Sequence, residues 1–358
     1  MRKPKILVTG AGGVGGVNFI KALRIAGEYF IVGMDYDEFY LQLPEVDVRF
    51  KSPRHDAPEF IELVKKVVKK YRVEFIHPQP EVEVEVLAEK REELRDVGLM
   101  IPKLHVVKLA RDKWESYRAM ASASVNLPET KLYSIEATSE LLARYGEVWI
   151  RARKGAGGRL SLPVKSLKEA ELWVKLWCTR GMAKPNDFIV QEYLPGRDVA
   201  WDSLWFHGEL IASYARERLR YIFPHLSPSR ITGTPTVSKI VRDPEINRVA
   251  ESAVLALDPK PHGFYCVDLK YNSSGKPAVT EVNVKAHTTL GLWSYIAQRA
   301  LKLPRKYNLP YLYVELGLGK EVDELPEKYD IYPEVTMMRH IDSGLLINVN
   351  GVWRRVEP

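Results

Sequence analysis

Asp268, Glu281 and Asn283 lie within one short stretch of sequence and carry the oxygen groups that Mg²⁺ prefers in proteins. Turn-forming residues at 272–275 predict an antiparallel hairpin that pairs 266–271 with 278–284. If the loop has an even length, directly opposed residues share a face, so these three side chains lie on one side of the sheet. Carboxylates held together repel each other unless a cation lies between them. The spacing therefore predicts a magnesium site, and the alternative is an exposed hairpin with ordinary acids.

A glycine-rich, basic turn, RARKGAGGR at 151–159, is the second candidate for chemistry. Glycines let a backbone approach phosphate oxygens, and flanking cations neutralise them. By itself the segment is equally typical of a flexible surface hairpin. Farther along, 191–194 joins one buried strand to the next and could offer backbone donors and acceptors to a flat heterocycle.

The amino-terminal segment contains GAGGVG at 10–15 between a strand and a helix, and Asp35 ends the next strand. This GxGxxG pattern with a following acid is typical of dinucleotide binding. Free amides at the start of a helix suit any anion, however. The motif leaves two interpretations open: a nicotinamide nucleotide site, or a substrate-binding or structural loop.

The elements that must position these residues change character along the chain. Up to about residue 103, apolar runs alternate with helical patterns, which predicts a parallel sheet wrapped by helices. Beyond it, strands come as hairpins with helices between them, as in α+β proteins. A strand is expected at 210–214 and a Pro-rich loop at 224–235, with Arg216 and Arg218 preceding the loop.

Composition and charge narrow the class of protein. The chain has 358 residues, of which 46% are hydrophobic and 28% charged, as in ordinary soluble proteins of two or three domains. Two cysteines are too few for a disulfide framework, and no apolar stretch of about 18 residues occurs. The net charge of +7 is scattered along the chain. The charge alone suits an anionic small ligand as well as nucleic acid, but no basic arm or recognised nucleic-acid-binding module occurs. We expect an anionic small ligand, no nucleic acid, no membrane and a cytoplasmic location.

Taken in order, these motifs resemble the ATP-grasp fold over residues 104–303, and the whole chain resembles single-copy relatives of the carbamoyl phosphate synthase large subunit. The resemblance implies an α/β and α+β architecture. It comprises a Rossmann-like pre-ATP-grasp domain at 1–103, an ATP-grasp amino-terminal part with a mobile lid at 104–190, an ATP-grasp carboxy-terminal part with the metal site at 191–303, and an extension of unclear role at 304–358.

The resemblance also implies roles for single residues. Asp268, Glu281 and Asn283 match the family's ligands for Mg²⁺ (or Mn²⁺) in both spacings. The implied contacts to ATP are Lys113, Arg151, Gly155, Gly157, Gly158, Gln191, Glu192, Leu194 and Asp198. Lys285, Arg216 and Arg218 are the candidates for holding an acyl phosphate. Substrate contacts are expected from Gly12, Gly13, Asn18, Asp35, Glu81 and His287.

Four of these positions depart from the usual family pattern. Lys285 stands where an arginine is frequent, Arg151 where a lysine is usual, and Gln191 where a glutamate is frequent. Asp198 is one methylene shorter than the usual glutamate. Only one ATP-grasp unit and no glutamine-hydrolysing domain are present, which argues against complete carbamoyl phosphate synthesis.

The sequence thus predicts an ATP-dependent carboxylate–amine ligase. It would activate a carboxylate as an acyl phosphate, transfer it to an amine or similar nucleophile, and release ADP and phosphate. The expected partners are a small-molecule carboxylate and amine, and a homodimer is considered. The alternatives are an NAD(P)-dependent oxidoreductase that uses the GxGxxG turn, and a nucleotide-binding module without turnover.

Overall fold

The computed structural model describes residues 2–155, 158, 160–341 and 344–356. Three sheets organise this part of the chain, one parallel and two antiparallel. This mixed α/β and α+β architecture confirms the predicted fold class. None of the helices in the described ranges is long and apolar enough to cross a membrane.

The amino-terminal unit is a parallel four-stranded sheet of order β3-β2-β1-β4. Its strands are β1 (Lys5–Thr9), β2 (Phe30–Asp35), β3 (Val48–Lys51) and β4 (Phe75–Pro78), and its helices are α1 (Val14–Ala26), α2 (Glu59–Tyr71) and α3 (Glu81–Glu89). Ile6, Leu7 and Val8 are completely buried, because neighbouring elements cover both faces of the central strand.

Helices α4 (Leu104–Arg111) and α5 (Lys113–Ser122) lead into a small antiparallel sheet of order β5-β8-β6-β7. Its strands are β5 (Thr130–Leu132), β6 (Val148–Ala152), β7 (Leu162–Val164) and β8 (Phe188–Glu192), and its helices are α6 (Ile135–Tyr145) and α7 (Leu167–Thr179). Apolar residues such as Leu141, Ile150 and Phe188 give this unit a separate core. We call it the lid sheet.

The largest sheet has eight strands in the order β13-β12-β9-β10-β11-β14-β15-β16. They are β9 (Asp198–Phe206), β10 (Glu209–Tyr221), β11 (Pro235–Val241), β12 (Gly263–Tyr271), β13 (Pro277–Asn283), β14 (Thr336–His340), β15 (Gly344–Val349) and β16 (Val352–Val356). Helices α8 (Pro244–Leu257), α9 (Leu290–Arg299) and α10 (Leu309–Gly317) complete the fold. The predicted extension thus adds a helix and three strands to this sheet.

Strand β10 is longer than the predicted 210–214, so Arg216 and Arg218 precede the Pro-rich loop, as expected, but from within the strand. Both arginines lie within the strand and pair with β11. The predicted strand was too short because charged residues alternate here on a face that is buried, whereas the sequence pattern associates charge with a loop or with water.

The amino-terminal unit is joined to the large sheet through the segment that follows β13. Asn18 Nδ2 donates to the Thr288 carbonyl at 2.8 Å, and Gln79 Nε2 donates to the Ala286 carbonyl at 2.9 Å. Gly291 lies so close to Asn18 that a Cβ there would be 2.5 Å from the Asn18 carbonyl oxygen. The ends of β1 and β4 therefore lie beside the residues that follow β13.

Candidate active site

The three predicted metal ligands lie side by side on the hairpin of β12 and β13. Asp268 is directly opposite Glu281, and Cys266 is opposite Asn283. The expected even loop is wrong, because Tyr271 pairs with Pro277 and leaves an odd number of residues between the strands. A β-bulge between Asp268 and Leu269 shifts the register by one residue and brings Glu281 opposite Asp268.

The bulge also supports a cation. Thr280 is the extra residue of the bulge, and its carbonyl oxygen accepts a hydrogen bond from Arg151 Nη1 at 3.3 Å. Its hydroxyl donates to the Asp268 carbonyl at 3.1 Å. The opposite face of the hairpin is core, as predicted, with Val267, Leu269 and Val282 buried. The carboxylates and the contact with Arg151 thus lie on one face of the hairpin only.

Strands β9 and β10 add charged side chains to the same face. Asp202 lies opposite Cys266 and opposite Tyr214, so the three share a face. Arg216 and Arg218 follow Tyr214 at alternate positions and point to the same side. Asp202 is completely buried and Arg216 is 1% exposed. Buried charges of both signs therefore meet on this face, where each needs a partner.

Glu281 is held by two cations. Its Oε1 lies 3.1 Å from Lys113 Nζ, and its Oε2 accepts from Arg151 Nη2 at 2.6 Å. Burial favours the neutral acid, but Lys113 and Arg151 outweigh it and lower the pKa of Glu281. Lys113 Nζ also donates to the Gly155 carbonyl at 2.8 Å. Lys113 thus connects Glu281 to the glycine-rich turn at residues 151–159.

Asp268 is paired with Arg218, whose Nη2 donates to Oδ1. The Nη1 atom of the same guanidinium donates to Asp198 Oδ1 at 3.0 Å, and Tyr221 donates to Asp198 Oδ2 at 2.6 Å. Asn283 Nδ2 donates to Asp268 Oδ2 at 3.2 Å. Burial opposes ionisation of Asp268, but Arg218 and His287 lower its pKa to about 2. Asp268 and Asp198 are therefore bridged by one arginine.

A buried network lies beneath these groups. His287 Nδ1 is 2.6 Å from Asp202 Oδ1, and Arg216 Nε donates to Asp202 Oδ2 at 3.0 Å. Burial disfavours the charged form of Asp202, yet Arg216 and His287 hold its pKa far below the ordinary value. Asp202, Cys266 and His287 could offer ligand atoms to a metal ion, but Arg216 already neutralises the carboxylate there. The cluster is therefore better explained as a set of buried contacts that hold His287 in place than as a second metal site.

A cavity of about 460 Å³ lies against the charged face, a size typical of small-molecule sites. The predicted residues that line it are Arg151, Gly158, Gln191, Glu192, Leu194, Asp198, Arg216, Arg218, Asp268, Glu281, Asn283, Lys285 and His287. Lys113 adjoins it through its contact with Glu281, and Gly155 adjoins it through the hydrogen bond that its carbonyl accepts from Lys113. Gly157 lies outside the described residues. Oxygen ligands surrounded by cations fit a divalent metal with a polyphosphate.

The segment 191–194, predicted to contact a flat heterocycle, lies where the chain leaves the lid sheet after Glu192. The Gln191 side chain donates to Thr130 Oγ1 at 2.9 Å, and Glu192 Oε2 accepts from the Glu129 amide at 3.3 Å. These side chains are thus engaged with β5 and its approach. Tyr193 and Leu194 line the cavity beyond them.

The predicted substrate residues of the amino-terminal unit do not line this cavity. The Gly12 amide donates to Asp35 Oδ2 at 2.8 Å, so Asp35 closes onto the glycine turn. Gly13 precedes α1, and Asn18 Nδ2 donates to the Thr288 carbonyl.

Glu81 lies outside the glycine turn, and its Oε2 is 3.8 Å from Arg111 Nε. Burial raises the pKa of Glu81, although Lys285 opposes the effect. Only His287 of the six predicted substrate residues lies on the cavity wall.

Sequence reasoning missed several residues of this site. Asp202 shares the face of Asp198, a relation that the two-residue period of a strand could have revealed. Lys270 lines the cavity, lies opposite Asp198 and places its ammonium 4.9 Å from the centre of the Tyr193 ring. The two-residue period also puts it on the face of Asp268. The bulge at Thr280 has no comparable signal.

Comparison with known families gives one match. A family model described as the ATP-grasp domain matches residues 110–289, about half of the chain. This region contains α5, the lid sheet and the complete hairpin of β12 and β13. No curated protein sequence matches the chain.

Solved structures with similar folds come from several enzymes. An L-amino acid ligase from Bacillus licheniformis has a TM-score of 0.68 at 15% identity, over 94% of this chain and 80% of that one. The biotin carboxylase domain of 2-oxoglutarate carboxylase from Hydrogenobacter thermophilus, with MgADP and bicarbonate, has 0.68 at 15%, over 95% and 75%. Carboxyaminoimidazole ribonucleotide synthase from Aspergillus clavatus, with ATP, has 0.67 at 13%, over 94% and 81%. These likenesses establish a shared fold.

Proposed function

Because the chain belongs to the ATP-grasp domain family, we propose that it is an ATP-dependent ligase that activates a carboxylate and passes it to an amine or similar nucleophile. The observation that carries this proposal is the charged face of the cavity. Two opposed carboxylates, Asp268 and Glu281, lie there among Lys113, Arg151 and Arg218. Such a set suits a metal-bound polyphosphate.

Asp268, Glu281 and Asn283 would hold Mg²⁺ or Mn²⁺, which supplies positive charge to the phosphates when bound. Lys113 and Arg151 both reach Glu281 in the structure and would turn to phosphate oxygens. Gly155 and Gly158 have φ angles of +119° and +71°, so this turn uses backbone geometry that side chains disfavour. We assign the turn to the triphosphate and the segment 191–194 with Asp198 to the nucleoside.

Activation of a carboxylate needs cations besides those that hold ATP. Lys285 lines the cavity, lies 3.4 Å from the Ala286 carbonyl and forms no ion pair within the described part of the chain. Arg216 also lines the cavity, and its buried Nη1 has no hydrogen-bond partner among the described residues. We propose that these two groups stabilise the acyl phosphate as charge develops on it.

The nicotinamide alternative is disfavoured by how the glycine turn packs. A Cβ at Gly10 would lie 2.3 Å from Pro80, and one at Gly15 would lie 2.4 Å from Gln79. Both carboxylate oxygens of Asp35 already accept hydrogen bonds from within the chain, Oδ2 from the Gly12 amide and Oδ1 from the Asp37 amide. The glycines therefore serve close packing within the chain. Kinship with the carbamoyl phosphate synthase large subunit, the bounds of the four predicted segments and a homodimer remain predictions.

The proposed reaction can be tested by screening pairs of carboxylates and amines for ADP and phosphate release. With an accepted carboxylate labelled with oxygen-18, acyl phosphate formation transfers label to the released phosphate. ADP should form in equal amount. AMP and pyrophosphate as products would contradict the acyl phosphate route, and the absence of nucleotide turnover with every pair would contradict the ligase assignment.

A further inference from the structure

We propose that Arg218 is an internal counter-ion that occupies the divalent-metal site until nucleotide binds. The inference rests on the proposed function and adds an order of binding to it. A metal ion alone is excluded because its carboxylate ligands are already neutralised. Nucleotide comes first, or the metal enters together with it.

Arg218 bridges the predicted metal ligand Asp268 and Asp198. Its guanidinium donates one nitrogen to Asp268 and another to Asp198 at 3.0 Å. The side chain is 12% exposed, so water does little to screen this contact. Among the lysines and arginines described, Arg218 alone pairs with Asp268. A cation therefore already stands at the acid that would bind the metal.

The second acid is engaged in the same way. Glu281 contacts Lys113 through one oxygen at 3.1 Å and Arg151 through the other at 2.6 Å. Asn283 turns its amide nitrogen toward Asp268, at 3.2 Å, so its donor side is presented there. A bare divalent ion would have to displace these groups and would then remain beside three like charges, which is unfavourable in a partly buried site.

A polyphosphate changes this balance because it offers the cations another anion. Lys113 and Arg151 can exchange Glu281 for phosphate oxygens, which frees one carboxylate. Arg218 can release Asp268 while Asp198, itself held by Tyr221 at 2.6 Å, keeps the guanidinium in place. Removing the Arg218 charge should therefore allow metal to bind without nucleotide.

The test titrates the complete, chelator-treated chain with Mn²⁺ and measures free Mn²⁺ by electron paramagnetic resonance, with and without ADP. We expect the wild-type protein to bind Mn²⁺ at least about tenfold more tightly with ADP. Arg218→Met should bind Mn²⁺ alone at least about tenfold more tightly than wild type does. Arg218→Lys, which retains the charge, should behave like wild type. Arg220→Met, an exposed arginine of the same strand, is the matched control.

Two results would overturn the inference. One is equal Mn²⁺ affinity of the wild-type protein with and without ADP, a comparison that needs no variant. The other is an unchanged metal affinity of folded Arg218→Met in the absence of ADP. The Arg218 comparison uses metal alone, whereas failure of MgADP to shift the melting temperature counts against the proposed function. The two failures are therefore distinguishable.

Discussion

Glu281 combines two tasks, since it neutralises Lys113 and Arg151 and also belongs to the proposed metal set. Glu281→Gln keeps the size of the side chain and one oxygen acceptor, but removes the charge. We expect kcat/KM for the ligase reaction to fall at least about 100-fold, equivalent to about 2.7 kcal/mol. Stability should fall less, because the amide oxygen still accepts a hydrogen bond. Steady-state kinetics and urea unfolding measure the two effects.

The exposed acid Glu209 at the start of β10 provides the control for this change. Glu209→Gln should leave both turnover and stability unchanged within experimental error. Normal turnover in Glu281→Gln would return Asp268 and Glu281 to the status of ordinary acids in a hairpin.

Glu83 should make stability depend on pH. Burial raises its pKa from 4.5 to about 7, and the charge of Asp35 adds to the effect, although the nearby Thr9 hydroxyl opposes it. The folded protein thus holds this proton more tightly than the unfolded chain. Stability from this group is complete below pH 4.5 and is lost as the pH rises to about 7, by roughly 3 kcal/mol in total.

The variant Glu83→Gln mimics the protonated acid and should remove this loss. We expect the free energy of urea unfolding to decline less between pH 5 and 8 in Glu83→Gln than in wild type. Glu59→Gln, an exposed acid in the first turn of α2, should keep the wild-type slope. Parallel pH profiles for wild type and Glu83→Gln would show that Glu83 does not titrate in this range.

The β-bulge in the hairpin of β12 and β13 allows a test at the level of one element. Deleting Thr280 restores a regular ladder and still leaves Glu281 opposite Asp268, because the bulge is one residue long. Arg151 loses the Thr280 carbonyl at 3.3 Å but keeps Glu281. A hydrogen bond to a charged group contributes about 1.5–3 kcal/mol, so ATP affinity should fall at least about tenfold.

Thr280→Ala is the matched variant, since it keeps the bulge and its carbonyl. Isothermal titration should give near-normal ATP affinity for Thr280→Ala and weaker binding for the deletion. Equal affinities for the deletion and wild type would show that the bulge does not position Arg151 for the nucleotide.

The same hairpin shows what sequence reasoning can reach. Turn formers and alternating side chains are local signals, so the pairing of the strands and the shared face of Asp268 and Glu281 were predictable. The extra residue Thr280 was not, because a bulge changes the register without a distinctive composition. Arg216 and Arg218 were placed before a loop because their partners, Asp202 and Asp268, lie on other strands, and Asp268 is 50 residues away from Arg218 in the chain. Buried charge can be recognised only when such partners are known.

The role of the glycine turn at residues 10–15 was ambiguous in the sequence for a related reason. Glycines that approach a pyrophosphate and glycines that approach Pro80 or Gln79 produce the same pattern in a sequence. The structure separates the two, because Gly12 and Asp35 bond to each other and Asn18 holds the segment after β13. In the assembled chain this turn therefore connects two units, while the cavity lies on the large sheet.

This arrangement separates packing from nucleotide binding, and melting curves can test the separation. A ligand at a hundredfold excess over its Kd stabilises the native state by about 2.7 kcal/mol. We expect MgATP to raise the melting temperature of the wild-type protein and NADH to leave it unchanged. Gly12→Ala should melt earlier, because its Cβ would lie 2.6 Å from the Tyr40 carbonyl carbon, yet it should keep the full MgATP shift.

Arg151→Met should show the reverse behaviour. Arg151 lines the cavity, and none of its described contacts reaches the glycine turn at residues 10–15. Its shift with MgATP should shrink, while NADH should again have no effect. The two variants together distinguish a ligand site from a packing site. An NADH shift in wild type that Gly12→Ala abolishes and Arg151→Met preserves would place nucleotide binding at the glycine turn and refute the ligase proposal.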